Sequence, residues 1–435
     1  MQTSLSDTAV AASLDDAVER PTPGIATLII ASALGNGLEV FDFTVFSFFA
    51  TYIGTSFFPN ANPLMSLLFA VGTFGAGFLA RPVGAAMIGG YADRAGRRSA
   101  MTLSIWLMAV GTAAIALCPT YATLGVAAPL IVLAGRLTQG FAAGGEIGAS
   151  TAYVMEIASE KQRGTMISSQ GLSQGLAAIA GALCGLLLIH TMDPKSLSAW
   201  GWRIPFVLGL LIAPVGVYIR RRLPESHVPE SRHKANHPLW MLLSHYRAKL
   251  LTAVAIMLSQ TVTMYVVVYF MPSYLGRVMN YPPATGFAAA ITSSLAIGVG
   301  AVLGGRLSDR LQRPRWLALI CTSLNLLVCF PSFWVLVHTS NTFLVVSVCA
   351  AIAALTGVGG TASTLLIMEM FPASIRASGF SIAYAVAVTL FGGTAQLVAT
   401  TLILKTGDSF AAAYYVFACL AVTWVTLLRT PDRSA

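Results

Sequence analysis

The stretches Gly89-Gly90-Tyr91-Ala92-Asp93-Arg94-Ala95-Gly96-Arg97-Arg98 and Gly304-Gly305-Arg306-Leu307-Ser308-Asp309-Arg310 look like one device used twice. Each follows a long apolar run, contains an Asp-Arg pair, and begins with two glycines that let helices approach closely. The chain therefore reads as two related membrane halves with a charged turn at a corresponding place in each, the organisation of a carrier.

Composition agrees with this reading. Of the 435 residues, 56% are hydrophobic and 10% charged, and the mean hydropathy is +0.74. Such a chain cannot cover a water-soluble globule with polar surface, so lipid must be part of its solvent. The formal charge of +9 does not point to nucleic acid, because the basic residues lie in short clusters between apolar runs rather than in one aromatic-lined stripe. Cys118, Cys184, Cys321, Cys329, Cys349 and Cys419 sit in or beside apolar runs with no Cys-x-x-Cys pair. They read as small buried hydrophobes, and no metal, cofactor or disulfide is expected. The first twenty residues are polar and acidic and lead into no cleavable apolar stretch, so a processed signal peptide is not expected.

Apolar runs of about twenty residues fall near 25–53, 65–90, 99–118, 122–148, 165–190, 203–220, 249–275, 284–305, 315–337, 342–367, 377–402 and 410–428. They are too long and too continuously apolar for barrel strands. The expected fold is an all-α membrane protein with twelve transmembrane helices in two pseudo-symmetric six-helix bundles. Its parts are a tail over 1–24, a first bundle over 25–221, a linker over 222–248, a second bundle over 249–428 and a tail over 429–435. With both termini cytoplasmic, the Arg and Lys clusters fall inside and the outer loops keep only Lys195, Arg277 and Lys405, which sets the expected orientation. His227, His233, His237 and His245 are irregularly spaced among Pro, Ser and basic residues, as in a solvated linker rather than a metal site.

Further motifs run through the chain in order: Asn36-Gly37-Leu38-Glu39-Val40-Phe41-Asp42-Phe43, Arg81-Pro82-Val83-Gly84, Gly135-Arg136-Leu137-Thr138-Gln139-Gly140, Gly144-Gly145-Glu146, Trp200-Gly201-Trp202-Arg203-Ile204-Pro205-Phe206, Glu369-Met370-Phe371-Pro372 with Arg376, and Phe391-Gly392-Gly393. On these residues the sequence resembles the major facilitator superfamily over essentially its whole length. Within that superfamily it is similar to the metabolite:proton symporters, which include citrate, tricarballylate, 2-oxoglutarate, shikimate and proline/betaine carriers. The resemblance implies the major facilitator fold, a bacterial inner membrane location, a functional monomer, and transport of a small organic carboxylate with protons. It is nearest to the citrate and tricarballylate carriers in Tyr269 through Asn280 and in Phe391-Gly392-Gly393 with the following Thr406-Gly407-Asp408 turn, which makes citrate the narrow expectation. A 2-oxoglutarate or other dicarboxylate symporter is the alternative, with shikimate and proline/betaine further off. Duplicated halves favour alternating access over a passive channel, the absence of an appended signalling domain disfavours a transporter-like sensor, and no nucleophile elbow or metal motif suggests an enzyme.

The ionisable residues within the spans carry the chemistry, because hydrocarbon offers them no exit to water. Glu39 and Asp42 lie three residues apart on one face of span one with Asn36 a turn earlier; each carboxylate raises the other's affinity for a proton, so they are the expected proton-coupling residues, with Glu146 a further candidate. The competing reading of both is a structural ion pair with Arg136 or Arg81. Arg81 and Arg136 are the candidate carboxylate-binding cations, joined by the polar groups Asn36, Gln170, Gln174, Gln260, Thr263, Tyr265, Tyr269, Tyr384 and Gln396 near the midplane. Tyr274 and Tyr281 read as interface anchors, and His190 as an outer-mouth residue. Candidate gate residues are Asp93, Arg94, Arg97 and Arg98 in the first turn and Asp309 and Arg310 in the second, with Glu156 and Arg163, and Glu369 and Arg376, flanking paired loops. Because Gln312, Arg313 and Pro314 replace the basic-rich ending of the first turn, the second latch is expected to be the weaker.

Overall fold

Turn chemistry sets the ends of the helices. Asn62 accepts from Leu64 N at 2.9 Å with Pro63 opening span two, and Asn341 accepts from Phe343 N and Leu344 N at the start of span ten. Both satisfy backbone donors that a helix leaves unpaired at its N-terminus. Gln312 and Gly407, at φ of 54° and 68°, end spans eight and eleven in the left-handed conformation. The computed structural model describes residues 37, 39–95, 97–144, 159–211, 214, 242, 244–372 and 375–431, and among these there is no strand.

Among the described residues a helix stands at each of the twelve expected spans: eight are long and apolar enough to cross a membrane, a bent pair makes a ninth, and three are shorter. Span one is Glu39–Phe48 continued by Ala50–Phe57, two helices meeting at 66°. Span two is Pro63–Leu79 followed by Arg81–Ala95, span three Arg97–Leu117, span four Ala127–Ala143 and span five Arg163–Thr191. Span six is described over Gly201–Leu211. Span seven covers Arg247–Val278, span eight Pro283–Leu311, span nine Pro314–His338 and span ten Thr342–Met370. Span eleven runs from Arg376 to Thr406 and span twelve is Ala411–Arg429. The first span, expected near 25–53, bends between its two described helices and runs on to Phe57. Wide π-helical turns interrupt span seven at Tyr265–Phe270 and Tyr274–Val278 and span eleven at Val388–Gly392. Such turns rotate the side chains that follow them and often mark functional sites.

The two bundles meet along three seams. Between spans five and eight, glycines allow near backbone contact: a Cβ on Gly164 would lie 2.6 Å from Gly305 O, and one on Gly175 2.7 Å from Ser294 O. Spans two and eleven close in the same manner at Gly75 and Gly393, with Thr389 Oγ1 donating to Phe78 O at 3.2 Å. Spans one and seven are joined by Ser47 Oγ donating to Tyr269 O at 3.0 Å and by Thr51 Oγ1 donating to Ser273 Oγ at 3.4 Å. One apolar core runs through both bundles, so the site lies inside packed protein rather than in a loose crevice.

Candidate functional site

The first half of the site follows from the close packing of spans two and four. A Cβ on Gly140 would come within 1.7 Å of Gly77 O, and one on Gly84 within 1.8 Å of Phe141 O, so only glycine permits this approach. It carries Arg136 wholly inside the bundle at 0% exposure. There the guanidinium carbon lies 4.5 Å from the ring of Phe43, 4.4 Å from Phe46 and 5.0 Å from Phe74. These ring faces offset part of the cost of burying the charge. Arg81 lies 4.7 Å from Phe43 and 4.4 Å from Phe78, so Phe43 serves both guanidinium groups.

The two carboxylates of span one take different partners. Arg81 Nη2 donates to Glu39 Oε1 at 2.9 Å in a buried ion pair. Asp42 instead is in hydrogen-bond contact with Thr112 Oγ1 of span three. Gln139 Nε2 donates to that same hydroxyl at 2.8 Å, and Arg136 Nη1 donates to Gln139 Oε1 at 2.7 Å. A chain of side chains therefore runs from Arg136 through Gln139 and Thr112 to Asp42. Nε and Nη2 of Arg136 have no hydrogen-bond partner among the described residues, nor has Oδ1 of Asp42. Of the two readings of this pair, the ion pair is formed at Glu39 with Arg81, while Asp42 meets Arg136 through the relay of Thr112 and Gln139.

The second half faces this charged set with phenols and amides. The Tyr265 ring centre is 5.7 Å from Phe78 and 5.1 Å from Tyr269, and Arg136 lies within its electrostatic reach. Tyr384 lies near Gln174 of the opposite bundle. Gln396 donates to Ser47, which passes the connection on to the Tyr269 carbonyl. Gln170 is buried on the same span as Gln174. Thr263 is buried as well, its hydroxyl lacking a hydrogen-bond partner among the described residues. Gln260 does not join the group: it lines a separate small cavity within the second bundle, against Gly360.

Other expectations sort clearly. Asp309 accepts from Gly164 N at 2.7 Å, Thr165 N at 2.8 Å and Thr165 Oγ1 at 2.7 Å. The carboxylate thus caps the N-terminus of span five from the opposite bundle, where unpaired amides and the helix dipole favour an anion. Gln312, three residues after Asp309, ends its helix in the left-handed conformation. Arg310 is exposed beside it, and Arg163 opens span five at the same end. Arg376 Nε donates to Met368 O at 2.9 Å and Lys249 Nζ to Met370 O at 3.0 Å, so these cations close the end of span ten, which also carries Glu369, within their own bundle. Tyr274 is fully buried and donates to Ser409 O at 2.8 Å, so it is a core residue and not an interface anchor. His190 is exposed, with Nδ1 turned 2.8 Å from Leu186 O of its own helix. Asn36, Glu146 and Glu156 lie outside the described residues, as do the side chains of Asp93, Arg94, Arg97 and Arg98.

Thr112, Gln139 and the phenylalanine cage were not among the expected site residues. Gln139 had a readable signal, since it stands three residues after Arg136 on the same helix face. Thr112 had none, being one hydroxyl in a long apolar span.

A family model for the Major Facilitator Superfamily matches residues 32–353. The chain belongs to this superfamily. Among its relatives, the citrate-proton symporter of Klebsiella pneumoniae is 35% identical over 390 residues, covering 89% of this chain and 88% of the relative. The alpha-ketoglutarate permease of Escherichia coli (strain K12) is 34% identical over 407 residues and covers 92% of each chain. Among solved structures, the partially occluded inward open conformation of the xylose transporter XylE from E. coli superposes with a TM-score of 0.73. At 15% identity, with 94% of this chain and 99% of that one covered, this likeness speaks for the fold alone. The superfamily member is a membrane transporter, not an enzyme.

Proposed function

We propose that the protein is a proton-coupled symporter that imports citrate, or a closely related tri- or dicarboxylate, by alternating access. The observation that carries this reading is Arg136: a fully buried guanidinium with Nε and Nη2 unclaimed among the described residues, tied through two side chains to Asp42. A buried cation with spare donors suits a substrate carboxylate, and a buried carboxylate coupled to it suits a proton. Arg81 with Glu39 stands beside it, and Tyr265, Tyr269, Tyr384, Gln174 and Gln396 supply neutral donors for the rest of the anion. The citrate-proton symporters among the relatives support citrate as the substrate.

In this reading Asp42 is the proton carrier and Asp309, at the start of span five, is a cytoplasmic latch that opens as the bundles rock. Both termini face the cytoplasm of a bacterial cell, the unit is a monomer in the lipid bilayer, and protons are the coupling ion with no further cofactor. Uptake into proteoliposomes at controlled pH and voltage tests it, comparing citrate, tricarballylate, 2-oxoglutarate, succinate, shikimate and betaine. We expect saturable citrate uptake driven by an inward proton gradient. Asp42→Asn should abolish gradient-driven accumulation while keeping citrate counterflow, which needs no net proton movement. Equal wild-type uptake with and without the gradient, at fixed citrate protonation, would rule out symport.

A further inference from the structure

The bond pattern around Thr112 contains a counting conflict with a functional solution. The hydroxyl of Thr112 has one proton to give. It nevertheless faces two acceptors, Asp42 Oδ2 and the carbonyl of Met108 at 2.9 Å. Its third neighbour is settled by Arg136. A guanidinium only donates, so Gln139 must turn its oxygen to Arg136 and its NH₂ group to Thr112. Thr112 therefore accepts from Gln139, whatever else it does.

Two arrangements satisfy all of these groups. With Asp42 ionised, Thr112 donates to Asp42 Oδ2, and every bond from Arg136 through Gln139 and Thr112 points toward the anion. Such a head-to-tail chain polarises each of its members and holds the guanidinium to the carboxylate through two neutral side chains. With Asp42 protonated, its O–H donates to Thr112 Oγ1 and the Thr112 proton turns to Met108 O. The chain then ends on a neutral carbonyl, and Arg136 is no longer held to an anion through it.

We propose that Thr112 is a positioning residue that couples Asp42 to Arg136, its hydroxyl reversing the direction of its bond to Asp42 when that carboxyl takes up a proton. The inference rests on the reading of Asp42 as proton carrier and deepens it: protonation releases Arg136 for a substrate carboxylate by switching one hydroxyl. Among the described residues, few charges compete with this relay. Arg136 of span four is the charge that acts on Asp42. Arg136 in turn lies near Arg81 of span two and Tyr265 of span seven, and Arg81 is paired with Glu39. From span six, the backbone of Gly209 lies against Asp42: an added Cβ there would lie 2.8 Å from Asp42 Oδ1.

The test measures citrate affinity of the purified full-length protein in lipid nanodiscs from mildly acidic to mildly alkaline pH, with the variants run in parallel so that the ionisation of citrate itself cancels. A one-proton linkage changes affinity by up to about tenfold per pH unit. Thr112→Val, which keeps the shape and removes the hydroxyl, should reduce that dependence to about threefold or less per unit, and Thr112→Ser should restore it. Gln139→Met breaks the chain at its next link and should act like Thr112→Val, so the inference stays testable if the valine variant does not fold. If Asp42→Asn flattens the pH dependence while Thr112→Val and Gln139→Met keep the wild-type slope, coupling is electrostatic through space and the role of Thr112 is overturned. If Asp42→Asn itself keeps the wild-type slope, the proton-carrier reading falls, and the Thr112 inference with it.

Discussion

The interiors of the two bundles occupy corresponding places and have opposite chemistry. In the first, spans one, three and four bring together Asp42, Thr112, Gln139 and Arg136. In the second, the counterpart spans seven, nine and ten bring together Gln260, Asn325 and Thr356, with Asn325 Nδ2 donating to Thr356 Oγ1 at 3.3 Å. The second cluster lines a cavity with space for about one water. Gln260 Oε1 and Asn325 Oδ1 have no hydrogen-bond partner among the described residues, so a single water can serve both. Both halves carry a polar cluster on these counterpart spans, but of the two clusters the first alone is charged. A neutral cluster is content with a water, whereas a buried guanidinium and carboxylate require each other, a proton or a ligand. The first bundle can therefore act as the chemical half, with the second supplying phenols, amides and a rigid counter-surface.

The strongest challenge to this asymmetry is Arg136→Gln. The amide keeps hydrogen-bonding capacity and removes the charge, so citrate affinity should fall by about ten- to hundredfold, in line with roughly 1.5–3 kcal/mol for a hydrogen bond to a charged group. Titration calorimetry on the purified variant checks this, and near-normal affinity would remove Arg136 from the substrate site. Asp309→Asn probes the seam rather than either interior. Loss of the anion from the start of span five should shift the balance between open and closed forms by about 1–2 kcal/mol, a five- to thirtyfold change in population. Spin-label distances across spans five and eight would show it as a gain in the form with separated helix ends; an unchanged distribution would mean the contact carries no gating energy. The smallest effect belongs to Gln260→Met, which replaces a half-buried amide, whose Oε1 has no hydrogen-bond partner among the described residues, by an apolar chain of similar length. Citrate uptake should stay within about twofold and stability within about 1 kcal/mol. A large loss of uptake would show that the second bundle shares in the chemistry.

Much of the site was legible in the sequence because charge in hydrocarbon is conspicuous. Arg81, Arg136, Glu39 and Asp42 stood out on that ground alone, and the structure places all four in one neighbourhood. Ion pairing among them was an open reading, but which carboxylate meets which arginine was not legible. Spacing put Glu39 and Asp42 on one helix face, but which neighbour each meets depends on the angular placement of spans two, three and four around span one. Gln260 shows the same limit in reverse: a polar residue in a candidate span pointed into its own bundle. Tyr274 resembled an interface anchor because it stands near the end of an apolar run, and π-helical turns carry it into the core instead.

The sequence by itself determined the membrane setting, the twelve helices, the division into two halves and the superfamily, since each follows from local composition, periodicity or an ordered set of motifs. Tertiary structure alone decided that Asp309 caps a helix of the opposite bundle, that Phe43 lies against two guanidinium groups, and that Thr112 stands between Asp42 and Gln139. Those contacts join residues far apart in the chain. They depend on glycine-mediated approaches of a few ångströms between helices, and no local rule of sequence encodes which helix faces meet.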